Sequence, residues 1–260
     1  MVPYLARIDI YPLKSFDGVA VDTIAVLASG ALQSDRIFTL MDTSGKFVNG
    51  KRFASIHRVR SQFSGDLSQI SVWVNEPTSA ATFHLREQTA DFEAWCSDYL
   101  GQPVTLQYNG DMGFPDDTDS PGPTVVSTAT LQTVADWYGL SLAETRRRFR
   151  SNLEIGGVPA FWEDRLFSES GEPVPFQIGA VTFWGINPCQ RCVVPTRDPQ
   201  TGDVTQRFQK IFNAQRAATL PAAVARSRFN HFYRLAVNTR RSPNSVLQPL
   251  KVGDSVTLIE

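Results

Sequence analysis

Short runs rich in Val, Ile, Phe and Thr, punctuated by turn formers, fill the first half of the chain. Residues 19–27, 36–42, 70–74, 81–85 and 104–108 read as strands, and clusters such as Asp42-Thr43-Ser44-Gly45 separate several of them. Strands at that spacing point to a barrel or sandwich and away from an alternating βαβ sheet. One helix interrupts them at 91–100, where Phe92, Trp95, Cys96 and Leu100 recur at helical intervals and Gly101 supplies a stop. Cys96 then lies on or beside the buried stripe, as a small apolar core residue.

Between Asn109 and Pro123 the pattern gives way to turn formers and acids with no usable period. A chain of 260 residues has room for one large domain or two modest ones, and this break divides it into 1–118 and 119–260. Helical patterns follow at 129–138, closed by Gly139, and at 141–149, opened by Ser141 with Glu144 three residues on in a capping box. Strand patterns return at 152–155, 180–184 and 252–259, with a last helical stretch at 205–216. The expected fold is a β-rich α+β chain in two parts, without internal repeats.

A 42% hydrophobic, 20% charged composition is that of a globular protein. The first ten residues carry Arg7 and Asp9 and no apolar stretch, so no signal peptide is read there. No window approaches 18 uninterrupted apolar residues, so no membrane span is expected. A net charge of −1 leaves no footprint for nucleic acid. The charge is unevenly spread: 9 Lys and Arg stand against 14 Asp and Glu up to residue 118, and 16 against 12 beyond it. The second half is therefore the better host for a small anionic ligand.

Only three cysteines are present, Cys96, Cys189 and Cys192. An odd and small number argues against a secreted disulfide framework and for reduced thiols in the cytoplasm. Cys189 and Cys192 sit three apart, and four readings compete for them. Structural zinc needs four ligands, and the chain offers no second close pair of Cys or His. A thioredoxin-type dithiol opens a helix, whereas Val193-Val194-Pro195 follows here. A disulfide across so short a loop is strained and does not persist in a reducing compartment. Two plain loop cysteines are the remaining possibility.

The surroundings are not plain. The segment Asn187-Pro-Cys-Gln-Arg-Cys-Val-Val-Pro-Thr-Arg-Asp-Pro-Gln-Thr-Gly-Asp203 resembles the cysteine motif of the MOSC superfamily, and within it the mitochondrial amidoxime-reducing components and their bacterial relatives. Other segments agree in order: Tyr11-Pro-Leu-Lys-Ser15, Asp35-Arg36, Phe149-Arg-Ser-Asn152 and Val252-Gly-Asp-Ser-Val256. Five ordered motifs from about residue 4 to the C-terminus are far more specific than a lone Cys-x-x-Cys. The sequence departs from the family pattern at Phe16, Ile37 and Ser151, none of which removes a proposed ligand.

The resemblance implies an N-terminal β-barrel-like domain followed by a MOSC β-barrel domain with a few helices, together holding a molybdenum-pterin (molybdopterin) cofactor. It gives Cys192 as the metal ligand, a soft thiolate suited to molybdenum already bound by pterin sulfur. Cys189 receives no role. For the anionic pterin it implies Lys14, Ser15, Arg36, Arg150, Asn152 and Arg191, with Ser120 and Thr124 where the family brings a hydroxyl to the cofactor. Arg146 and Arg147 read instead as a solvated helix end. Asp198 is a candidate general acid against the more usual structural role of an Asp-Pro turn. His231 is placed near the cofactor, for packing or contact.

The implied function is a molybdenum-dependent oxidoreductase that reduces N-hydroxylated compounds such as amidoximes and hydroxylamines. No cysteine-rich ferredoxin module of the kind carried by some bacterial relatives is read here, so no [2Fe–2S] cluster of its own is expected. Electrons are therefore expected from a separate donor protein of ferredoxin, cytochrome b5 or flavoprotein type. The alternative is a cofactor-handling or sulfur-carrier protein in which Cys192 bears a persulfide. Only the carrier can dispense with Lys14, Arg36, Arg150 and Asn152, so their joint presence favours stable cofactor binding.

Overall fold

The computed structural model describes residues 2–222 and 224–259. In chain order the elements are β1 (Tyr4–Ile10), β2 (Val19–Val21), β3 (Thr23–Ile24), β4 (Phe38–Asp42), β5 (Val59–Phe63), β6 (Gln69–Val74), β7 (Ala81–His84), α1 (Thr89–Leu100) and β8 (Val104–Tyr108). They continue with β9 (Val125–Ser127), α2 (Thr128–Tyr138), α3 (Leu142–Phe149), β10 (Leu153–Gly156), β11 (Val174–Ile178), β12 (Val181–Gln190), α4 (Phe208–Ala218), β13 (Arg234–Arg241), β14 (Leu250–Lys251) and β15 (Val256–Leu258). The chain is a β-rich α+β protein, as its pattern of short strands predicts.

An eight-stranded sheet in the order β15-β11-β12-β13-β9-β10-β1-β2 forms the floor of the molecule. β1 and β2 come from before residue 118 and the other six strands from after it, so this sheet crosses the break read from the sequence. Its middle strands β9 and β10 run parallel and are buried along their whole length. Strands covered on both faces show continuous apolar runs rather than alternation. Leu5, Ile8, Leu153, Ile155, Phe176 and Phe183 are among the residues that fill the core against this sheet.

The smaller pairings β4-β8 and β5-β6-β7 enclose a second core with α1, in which Phe92 and Cys96 are buried. Cys96 is thus a core residue, and burial, followed by Glu93, pushes its thiol pKa up. The third core lies under α2, α3 and α4, where Phe149, Phe208, Phe212 and Tyr233 meet. Among the described residues these pairings give open sheets, none of which closes into a ring.

Several boundaries shift for local reasons. The run 19–27 breaks at Asp22, because β2 pairs with β1 and β3 with β14. β4 starts two residues late, since Arg36 has a left-handed φ of 52°. α4 starts at Phe208 rather than 205, because the Thr205 N–H pairs with the Thr196 carbonyl at 2.8 Å and Arg207 is left-handed. The capping box on α3 is half made. Ser141 accepts from the Glu144 N–H at 3.1 Å, but the Glu144 carboxylate turns to Arg148 instead of back to Ser141.

Candidate functional site

A cleft of about 1100 Å³ opens between the eight-stranded sheet, α3 and the loops that precede β4 and β9. Its lining brings together Lys14, Ser15, Arg36, Ser120, Arg150, Asn152, Arg191 and Cys192, drawn from segments far apart in the sequence. Asp198 and His231 do not line it. Ten Lys and Arg and five Asp line the cleft, so its net charge is positive and favours an anion.

Ser15, Arg36 and Arg150 share an unusual backbone, with φ of 76°, 52° and 54°. Non-glycine residues in this region are strained and persist where the surrounding structure over-determines them. Arg150 caps α3 in the position where glycine is the usual residue. The turn that closes the helix therefore also delivers a guanidinium to the cleft.

Most of these side chains are already tied down. Lys14 is 7% exposed; its Nζ donates to the Phe114 carbonyl at 2.7 Å and to Asp116 at 2.9 Å. Burial lowers its pKa, opposed by Asp116. Arg36 pairs with Asp35 and reaches the Arg150 carbonyl at 3.4 Å. Arg150 Nη1 donates to the Phe16 carbonyl at 2.7 Å. Asn152 is a buried junction: its Oδ1 accepts from the Thr124 N–H and hydroxyl at 3.2 and 3.3 Å, and its Nδ2 donates to the Asp9 carbonyl at 3.1 Å.

The cysteine segment follows an irregular strand. β12 carries bulges between Gly185 and Asn187 and between Pro188 and Gln190, which bend it at the point where Cys189 enters the cleft wall. Arg191 donates to the Phe149 carbonyl and, at 3.3 Å, to the Cys189 sulfur. Cys192 is a free, half-buried cysteine. Its loop is held from behind by Arg148, whose Nη1 donates to the carbonyls of Pro195 and Arg197 at 3.0 and 2.8 Å and to the Thr205 hydroxyl at 3.2 Å.

Asp198 is occupied elsewhere: its carboxylate accepts the N–H groups of Gln200 and Thr201 at 2.8 and 2.9 Å and closes their turn. Although burial opposes it, those two donors keep its pKa low, which suits a turn and not a proton donor. His231 is partly exposed, and burial and Arg234 lower its pKa.

The lining also contains residues that the sequence pattern does not reveal. His57 Nε2, Arg147 Nε, Asn187 Oδ1, Arg191 Nε and Arg234 Nε are buried atoms without a hydrogen-bond partner among the described residues. Arg147, read from sequence as a solvated helix end, is therefore a cleft residue, as is Arg146, which is locked to Glu154 at 2.6 Å. Nothing in the sequence around His57 marks it. Only the absence of a side chain at Gly50 admits its ring, for a Cβ there would stand 2.6 Å from Nε2.

Polar atoms left unpaired in a net-positive cleft fit a polar, anionic ligand that would complete them. Among the described residues no three His, Cys, Asp or Glu side chains gather to hold a metal. A metal in this cleft would need most of its ligands from a bound group, with Cys192 as the available protein sulfur.

A net-positive cleft on a β-rich frame suits an anionic ligand. Residues 2–103 match the MOSC N-terminal beta barrel domain and residues 124–257 the MOSC domain, so the chain belongs to the MOSC family. It is 25% identical over 248 residues to a protein named molybdenum cofactor sulfurase from Solanum lycopersicum, covering 79% of this chain and 30% of that one. A protein of the same name from Drosophila grimshawi is 25% identical over 291 residues, covering 99% of this chain and 35% of the relative. Mitochondrial amidoxime-reducing component 1 from Homo sapiens is 24% identical over 241 residues, covering 78% of this chain and 68% of the relative. The chain thus spans about a third of the length of the two sulfurases. Among the described residues no helix is long and apolar enough to cross a membrane.

Proposed function

We propose that this chain binds a molybdenum-pterin cofactor in the cleft and reduces N-hydroxylated compounds such as amidoximes and hydroxylamines, with electrons from a separate donor protein. The observation that carries the reading is the convergence of Lys14, Ser15, Arg36, Arg150, Asn152, Arg191 and Cys192 on one net-positive cleft. The family and the amidoxime-reducing relative support the reaction class. The balance is R–NHOH plus two electrons and two protons giving R–NH2 and water, and the cofactor would supply the oxygen-accepting and electron-carrying chemistry.

The chain's own residues do the rest. Cys192 offers a thiolate, Arg36 and Arg150 an anion platform, and Lys14 a further cation once it exchanges Asp116 for the ligand. Arg148 fixes the Cys192 loop through the Pro195 and Arg197 carbonyls. Arg147 and Arg234 add positive charge to the cleft lining. Burial keeps His57 neutral near pH 7, so it faces the cleft as an uncharged imidazole.

The test is molybdenum and pterin per chain after expression in a cofactor-producing host, for wild type and Cys192→Ala. Wild type is expected to carry both and Cys192→Ala to lose the metal; neither present in wild type would overturn the reading. Oxidation of reduced viologen with benzamidoxime then reads the reaction. A sulfur-carrier role, suggested by the two sulfurase relatives, predicts a persulfide on Cys192 and no dye oxidation.

A further inference from the structure

We infer that Tyr11 is the positioning residue of the cleft: its ring and main chain hold Arg36 and Arg150 together where an oxyanion is received. The inference rests on the cofactor reading above and deepens it.

Two guanidiniums that face the same space repel each other, and each of these two also sits on left-handed backbone. Asp35 and the Phe16 carbonyl each hold one of them, but neither bond joins the two. The Tyr11 ring does so by its face: the Arg150 Cζ lies 4.0 Å and the Arg36 Cζ 5.0 Å from its centroid. The main chain of Tyr11 adds a second grip. Its N–H donates to Asp35 at 2.8 Å, and its carbonyl accepts the Arg36 N–H at 2.9 Å. The phenol hydroxyl donates to the Ser151 carbonyl at 3.3 Å, next to Arg150. One residue, immediately after β1, therefore ties the segment at 35–36 to the segment at 150–151.

The ring is 5% exposed and has a place made for it. Gly18 lies against it so closely that a Cβ there would stand 2.6 Å from Cε1. Leucine at position 11 would keep much of the volume and the main-chain bonds but remove the π face. Phenylalanine would keep the face and lose only the long hydroxyl bond. The π face, and not bulk, is what the geometry assigns to this position.

Wild type, Tyr11→Phe, Tyr11→Leu and Gly18→Ala are compared by pterin per chain and by NMR of the arginine Nε–Hε groups, assigned with Arg36→Lys and Arg150→Lys. Wild type and Tyr11→Phe should retain pterin and show two ring-current-shifted arginine signals. Tyr11→Leu should lose both shifts and bind pterin about tenfold less well, given two cation–π contacts at a partly desolvated site. Unchanged shifts and pterin in Tyr11→Leu overturn the inference. If Tyr11→Leu does not fold, Gly18→Ala decides, since it displaces the ring: unchanged shifts and pterin there overturn it equally. If wild type carries no pterin, the cofactor reading fails, and titration with inorganic phosphate tests Tyr11 alone. Arginine signals that move in wild type and Tyr11→Phe but not in Tyr11→Leu support it; equal movement in all three overturns it.

Discussion

The two walls of the cleft are built on opposite terms. On the sheet side, Tyr11, Arg36, Asn152 and Thr124 all hydrogen-bond to protein groups, and Ser151 Oγ is the buried polar atom beside them without a partner among the described residues. On the cysteine side, Asn187, Arg191 and Arg234 leave buried polar atoms unpaired among the described residues, and Cys192 is a free, half-buried cysteine. A saturated wall fixes geometry before a ligand arrives, whereas an unsaturated wall keeps its capacity for the ligand. Removing a hydrogen-bonding junction such as Asn152 from the first should therefore act mainly on stability, and removing an unengaged group such as Cys192 from the second mainly on binding; Tyr11 reaches binding only through the two arginines it positions.

The sharpest way to break that contrast is Asn152→Ala. It strands the Asp9 carbonyl and the Thr124 N–H in a buried site, at about 1–3 kcal/mol per buried polar group left unsatisfied. A loss of about 3 kcal/mol in urea denaturation is expected, against no resolvable change for Cys192→Ala. Equal effects from the two variants would dissolve the distinction between the walls.

Arg148→Lys comes next, at about 2 kcal/mol, because lysine keeps the charge but cannot spread donors over Glu144, Pro195, Arg197 and Thr205 together. Since Arg148 restrains the Cys192 loop from behind, alkylation of Cys192 by iodoacetamide should quicken in the same variant. An unchanged alkylation rate would mean that the loop is held from its other side, where Arg58 and Arg60 donate to the Thr201 and Pro199 carbonyls. Ser141→Ala should cost about 1 kcal/mol for the lost cap of α3, the helix that carries Arg146 to Arg150. Its effect on pterin content should be slight, since the cap lies at the end of α3 away from Arg150.

What the sequence discloses follows the same division. Lys14, Arg150 and Cys192, singled out by the order of the motifs, do come together in the lining of one cleft. β13 is not legible: its charged ends, Arg234, Arg240 and Arg241, hide a buried centre of Leu235 to Thr239 that only sheet neighbours explain. The Asn109–Pro123 stretch reads as a linker by composition. In the fold, Asp116 and Asp117 reach the cleft wall, and Asp116 occupies Lys14. Arg147 and His57 stay hidden because their significance lies in partners they lack, and a missing partner has no sequence signature.

His57 gives the smallest expected effect and probes the unsaturated wall by itself. Burial, with Arg197 and Arg150 adding repulsion and Gly50 and Asp198 opposing, lowers its pKa below the ordinary 6.5. The unfolded chain therefore binds a proton more readily than the folded one. Stability from this group is full above about pH 6.5 and drains away as pH falls toward the lower folded value. His57→Gln, which cannot titrate, should flatten that part of the curve of urea midpoint against pH between 8 and 5.5. A ligand that hydrogen-bonds the Nε2 atom should move the wild-type curve and leave the variant's in place. Identical curves for the two proteins would show that burial does not lower the His57 pKa, so that the ring must meet water or a partner that offsets its desolvation.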